Sequence, residues 1–255
     1  MRNIRLISAV AAALMAGLLP AAAQNPPRGT PPLAAARPYK SVAITPAKPL
    51  ADADFDAMRK QLAEAARRKD RAALARLVVA RGFFWQRENR NTANKRKPGI
   101  DNLAEALGLN NKDGAGWDIL AGYADDATAS PSAVRKDAFC APADPEFNRK
   151  DFAELTKATQ TDPSEWGYPV SANIEVHATP QANAPVIDKL SLAFVRVMPE
   201  PKPTSAAYVR IVMPSGKAGY VSVDSVAPVG NDQLCYVNDG GAWKIGGYIG
   251  AGEPQ

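Results

Sequence analysis

The sequence predicts an α+β protein, a small helical N-terminal module followed by a β-rich C-terminal half. Apolar residues recur at three- and four-residue steps between Phe55 and Leu107. After Trp166 the period changes to two, in short runs punctuated by Pro, Gly and Asn.

The first 23 residues have the form of a cleavable secretory signal peptide. Arg2 and Arg5 precede an uncharged run from Leu6 to Leu19, and Ala21-Ala22-Ala23 before Gln24 satisfies the small-residue cleavage rule. That run is too short to cross a hydrocarbon core of ~30 Å, and no later segment approaches a transmembrane span. The expected location is periplasmic or secreted. Loss of the two leader arginines lowers the formal charge of the chain from +5 to +3, too weak a bias to imply nucleic-acid binding.

Residues 24–50 are rich in Pro, Ala and basic side chains and are expected to be a disordered tether. The helical module is expected over 51–124. Phe55, Met58, Leu62 and Ala66 form an apolar stripe opposite Arg59, Lys60, Glu64, Arg67 and Arg68, and Asp70 stands where an N-cap would start a second helix carrying Leu74, Leu77 and Val78 inward. Phe83-Phe84-Trp85 is followed by a basic stretch, Arg87 to Lys97, with five Lys or Arg against one Glu. Ile100, Leu103, Ala104 and Leu107 suggest a third helix ended by Gly108, and Trp117, Leu120 and Tyr123 a fourth. Residues 125–165 look like a connector containing Cys140, with a helical turn or two around Phe152, Leu155 and Ala158. The β domain is expected over 166–250. Its last two runs, Leu234 to Val237 and Trp243 to Tyr248, flank Asn238-Asp239-Gly240-Gly241, a hairpin signal.

Cys140 and Cys235 are the two cysteines, and an oxidising compartment makes a disulfide between them the expected state. Cys140 follows the helices and Cys235 lies in the hairpin after the β segment, so if the hairpin belongs with the β domain the bridge fastens the two modules together. In the alternative arrangement the hairpin packs on the helices, with the β segment inserted between.

Four stretches carry a resemblance: Ile174-Glu175-Val176, Asn183 to Leu190, Tyr208-Val209-Arg210-Ile211 and Pro214 to Val221. Together, residues 170–228 resemble a bacterial SH3 domain, a small β-barrel common in exported bacterial proteins. The resemblance implies an SH3-like barrel with an extra C-terminal hairpin. Because some members bind cell-wall peptides through an aromatic groove, it also implies a binding role. The opening Val176-His177-Ala178-Thr179-Pro180, tyrosines at tryptophan-like positions and a proline-rich insertion, Met198 to Ala206, depart from the family pattern.

Tyr208, Tyr220 and Trp243 are therefore candidate binding residues. Trp85, Arg87, Arg90, Lys95, Arg96 and Lys97 are candidates for contact with an anionic surface, the aromatic inserted and the charges outside. The sequence carries no Walker A loop, dinucleotide fingerprint or nucleophile elbow. Its one histidine, His177, reads as a solvent-facing strand residue, and no metal or cofactor is expected. Hydrolysis by paired carboxylates would need two of Asp118, Asp125, Asp126 and Glu165. The favoured role is a non-catalytic envelope binding module for a cell-wall peptide or a periplasmic protein. The alternatives are a structural or assembly factor and, less favoured, a carboxylate-dependent wall hydrolase.

Overall fold

Asp52 starts the first helix of the chain by accepting the backbone N–H groups of Asp54 and Phe55. The structure is a computed structural model and describes residues 37–87, 90–198 and 205–250. The signal segment, the first part of the Pro-rich stretch and residues 199–204 of the insertion lie outside the described residues. β1 (Ile44–Thr45) precedes α1 (Ala53–Arg67), which buries Phe55, Met58, Leu62 and Ala66. Asp70 caps α2 (Arg71–Arg76) through the Ala73 N–H. β2 (Phe84–Arg87) and β3 (Arg90–Asn91) form a hairpin. α3 (Gly99–Leu107) ends on Gly108 at φ 66°, and α4 (Ala115–Asp125) starts after Gly114 at φ 76°. At both glycines the left-handed backbone suits a residue without a Cβ. Then come β4 (Ser130–Pro131), β5 (Ala138–Ala141), β6 (Glu146–Phe147) and α5 (Arg149–Thr159), capped by Asn148.

The second half holds β7 (Trp166–Pro169), β8 (Ile174–His177), β9 (Val186–Leu190), β10 (Val195–Met198), β11 (Tyr208–Val212), β12 (Ala218–Ser222) and β13 (Val226–Pro228). The hairpin of β14 (Gln233–Asp239) and β15 (Ala242–Ile249) completes it. The protein is thus α+β, with its strands in two large sheets and one small one.

The larger sheet runs β13-β7-β10-β11-β12-β8-β9 and the second β3-β2-β15-β14-β5-β4. Each organises its own lobe. In the first lobe α1 to α4 pack on the six-stranded sheet around Phe55, Leu62, Leu74, Leu103, Leu107, Leu120, Tyr236 and Ile245, all fully buried. In the second, Val176, Val195, Ile211 and Val221 form an apolar layer on one face of the seven-stranded sheet. Phe147, Phe152, Trp166 and Phe194 form an aromatic cluster under α5, with Phe152 and Phe194 ring centroids 4.5 Å apart.

Four expectations are corrected. The tether ends earlier than residue 50. The Tyr39 N–H donates to Pro214 O, Ile44 N–H to Leu192 O and Phe194 N–H to Val42 O, so the segment straps the second lobe before Leu50 N–H reaches Ala127 O in the first. Burial of Val42 and Ile44 supplies the apolar contact that composition averaged away. The connector is not a linker either, since it contributes β4 and β5 to one sheet and β6 with α5 to the other lobe.

The third correction concerns the C-terminal hairpin. It belongs to the sheet of the helical lobe, where β14 pairs with β5 and β15 runs parallel to β2. The chain therefore leaves the first lobe after β5, builds the second, and returns at β14. Cys140 and Cys235 face each other on β5 and β14 and are bridged. The disulfide lies within one sheet, at the neck of the inserted lobe, rather than between two modules. Among the described residues the seven-stranded sheet is open, with β13 and β9 at its edges, so no closed barrel is formed.

Candidate functional site

Cross-strand partners share a face of a sheet. Register places Met198 opposite Arg210, Arg210 opposite Tyr220, Tyr220 opposite His177 and His177 opposite Val186. These five residues form a transverse row across β10, β11, β12, β8 and β9 on the face away from Val209, Ile211 and Val221. Tyr208 lies two residues from Arg210 on the same face, with its ring 6.1 Å from that of His177, edge to face. Tyr220 is buried, Val186 is 45% exposed, and Arg210, His177 and Tyr208 are half-buried.

Two groups give the row its polarity. His177 Nδ1 lies 3.0 Å from the Ala184 carbonyl, which can only accept, so the proton sits on Nδ1 and Nε2 is left for another partner. The Nε of Arg210 is buried and has no hydrogen-bond partner among the described residues. A buried guanidinium N–H without an acceptor is costly, and a carboxylate is its natural complement. Nearby on β10, Arg196 is not available, because its guanidinium pairs with Glu165 at 2.7 Å.

The three aromatics expected to line one groove are divided. Tyr208 and Tyr220 share the face, whereas Trp243 sits on β15 in the other lobe, 5.3 Å from the Phe55 ring and 5.7 Å from Phe139. Arg210, Met198 and Val186 were missed. Alternation from Tyr208 to Val212 puts Arg210 on the face of Tyr208, a signal present in the sequence, but nothing local to β9 or β10 reveals that Val186 and Met198 end the same row.

The anionic-surface candidates also separate by burial. Phe83, Phe84 and Trp85 are 6%, 5% and 8% exposed, so they are core residues and do not insert into a membrane. The Trp85 indole N–H donates to Gly250 O at 3.2 Å. Arg87, Arg90, Lys95, Arg96 and Lys97 are exposed.

The carboxylates nominated for hydrolysis do not assemble. Asp118 and Asp125 are exposed on α4, and Asp126 accepts the Thr128 N–H and hydroxyl. Glu165 lies in the other lobe, where the Asp162 N–H and then Arg196 hold its carboxyl below the usual range. A cleft of about 550 Å³ opens at the neck, between Ser132, Val134, Phe147, Arg149, Asn231 and Gln233. Burial raises the carboxyl of Asp144 on its wall, although that side chain is largely solvent-accessible, and we attach no catalytic role to it. Comparison with protein-family models, with curated proteins and with solved structures returned no match. Among the described residues no helix is long and apolar enough to cross a membrane, and no group of three His, Cys, Asp or Glu could hold a metal.

Proposed function

We propose that the chain is a non-catalytic binding protein of the bacterial cell envelope, and that it binds a peptide across the Tyr208, Arg210, Tyr220 and His177 face of the seven-stranded sheet. The observation that carries this reading is the row itself. An aromatic edge, a half-buried arginine whose Nε has no partner among the described residues and exposed Val186 share one face, backed by a separate apolar core. The strand order β13-β7-β10-β11-β12, with the β8–β9 hairpin folded back onto β12, supports the resemblance to bacterial SH3 domains and hence a wall peptide as ligand. Both cysteines are bridged and the His177 ring is tied to a backbone carbonyl, which favours recognition over nucleophilic chemistry.

The test is retention of the oxidised chain, residues 24–255, on insoluble peptidoglycan and its titration with a soluble stem peptide bearing a free carboxylate. Arg210→Gln and Tyr208→Ala are each expected to weaken binding about tenfold or more, in line with loss of one charge-assisted hydrogen bond or one aromatic anchor. Binding that neither change weakens, or no retention at all, would overturn the assignment.

A further inference from the structure

Residues 59–97 carry thirteen Lys and Arg against three acids, a local excess that the modest charge of the whole chain conceals. Its densest part surrounds the β2–β3 hairpin. Arg87 and Arg90 are directly opposed partners across that hairpin, both exposed. Like charges in that position repel, and an anion between them would relieve that repulsion; the Arg87 guanidinium lies 5.6 Å from the centre of the Trp85 ring. The Gly99 N–H donates to Ala80 O, which brings Arg81 beside the end of the same loop. Among the described residues Arg81, Arg87, Arg90, Lys95 and Arg96 form no ion pair, whereas Lys97 is paired with Glu105.

The loop that carries Lys95 and Arg96 is held in place. Asn102 is 3% exposed, the buried polar residue of the described core. Its Oδ1 accepts the Asn94 N–H at 2.7 Å, and its Nδ2 approaches Asn94 O at 3.1 Å, Pro98 O at 3.2 Å and Lys97 O at 3.4 Å. Asn94 Oδ1 in turn accepts the Arg96 N–H, and Thr92 N–H returns to Trp85 O. The bases thus stand on an ordered rim above the buried Phe83-Phe84-Trp85 run.

We infer that this rim docks on an anionic phospholipid surface, with Arg81, Arg87, Arg90, Lys95 and Arg96 against headgroup phosphates and no apolar side chain inserted. Paired guanidiniums suit phosphate oxygens, and an exposed rim without an enclosing pocket suits an extended charged plane. The contact is electrostatic throughout, since the aromatic residues are committed to the core. This surface belongs to the first lobe and does not depend on the tyrosine face.

Co-sedimentation of the oxidised chain, residues 24–255, with phosphatidylcholine vesicles containing about 30 mol% phosphatidylglycerol reads the contact directly, each Lys or Arg near such a surface adding roughly a factor of five. Binding is expected to the mixed vesicles and not to pure phosphatidylcholine, and to fall as salt rises from about 0.05 to about 0.5 M. The variant Arg87→Gln, Arg90→Gln, Lys95→Gln, Arg96→Gln is expected to lose at least about tenfold in partitioning. Lys150→Gln with Lys157→Gln on α5 should leave it unchanged. Equal binding to pure phosphatidylcholine, full binding by the fourfold variant, or retention on soluble polyphosphate with none on vesicles would overturn the inference.

Discussion

The Tyr39 hydroxyl donates a 2.8 Å hydrogen bond to the carbonyl of Val212, 173 residues further along the chain, and its ring meets Trp166 edge to face at 5.0 Å. One side chain thereby fixes the entry of the strap onto the seven-stranded sheet. Tyr39→Phe keeps the ring contact and loses the hydrogen bond, at an expected cost of about 1 kcal/mol. Burial also pushes the hydroxyl pKa above its ordinary value of 10.0. Stability from neutral Tyr39 is therefore complete below that ordinary value and is lost as pH rises beyond it. Urea titrations at neutral and at alkaline pH should show the variant losing less stability than the parent across this window.

The disulfide closes a loop of 95 residues, and replacing Cys140 and Cys235 together by Ala is expected to cost roughly 4 to 5 kcal/mol in the chain-entropy account. Proteolysis within the inserted lobe gives a sharper test of the neck. Fragments cut between Cys140 and Cys235 should migrate together on a non-reducing gel and separate on a reducing one.

Asn102→Ala should destabilise the protein by about 2 to 4 kcal/mol, because it removes the partner of the Asn94 N–H and leaves a cavity under the loop. Its signature is local. Hydrogen exchange of amides from Asn94 to Gly99 should accelerate more than that of β14, whereas a global loss of stability would accelerate both.

Gly116→Ala tests the α3–α4 turn. Alanine raises intrinsic helix propensity by about 1 kcal/mol, yet a Cβ at this position would collide with the Leu107 carbonyl oxygen and the Gly108 backbone. Because neither obstacle is a movable side-chain end, the net effect is expected to be destabilising, and a rise in thermal midpoint would refute the packing described.

Glu165 supplies an acid-side counterpart. Its carboxyl is held low first by the Asp162 N–H and then by Arg196, so the stability it contributes is present above the unfolded value and disappears as pH falls through the depressed one. Glu165→Gln should be less stable than the parent at neutral pH, and the difference should shrink as pH falls from about 5 to about 2.

Local chemistry was legible in the sequence and long-range pairing was not. Asp52 and Asp70 cap helices where a carboxylate precedes an apolar stripe, Gly108 ends α3, and the Asn238-Asp239-Gly240-Gly241 turn joins β14 to β15. The choice of sheet for that hairpin depends on Cys140 and Phe84, which are far away in sequence, and period-two alternation is the same in either sheet. Phe83-Phe84-Trp85 showed no alternation because it packs among helices on one side and against Gly247 on the other. The strap was lost for a related reason: its prolines dominate the composition, while two buried residues, Val42 and Ile44, hold it. For the candidate site, Tyr208 and Tyr220 could be named individually and alternation puts Arg210 on the Tyr208 face, but only strand pairing reveals that Trp243 is elsewhere and that Arg210 stands opposite Tyr220.

The first lobe is assembled from distant parts of the chain, since β2 needs β15 beside it and β5 needs β14. A chain synthesised from its N-terminus cannot settle such a lobe early, because the strand that completes its sheet emerges last. The topology thus delays completion of the first lobe until nearly all of the polypeptide has been made, and such non-local pairing is slow to form.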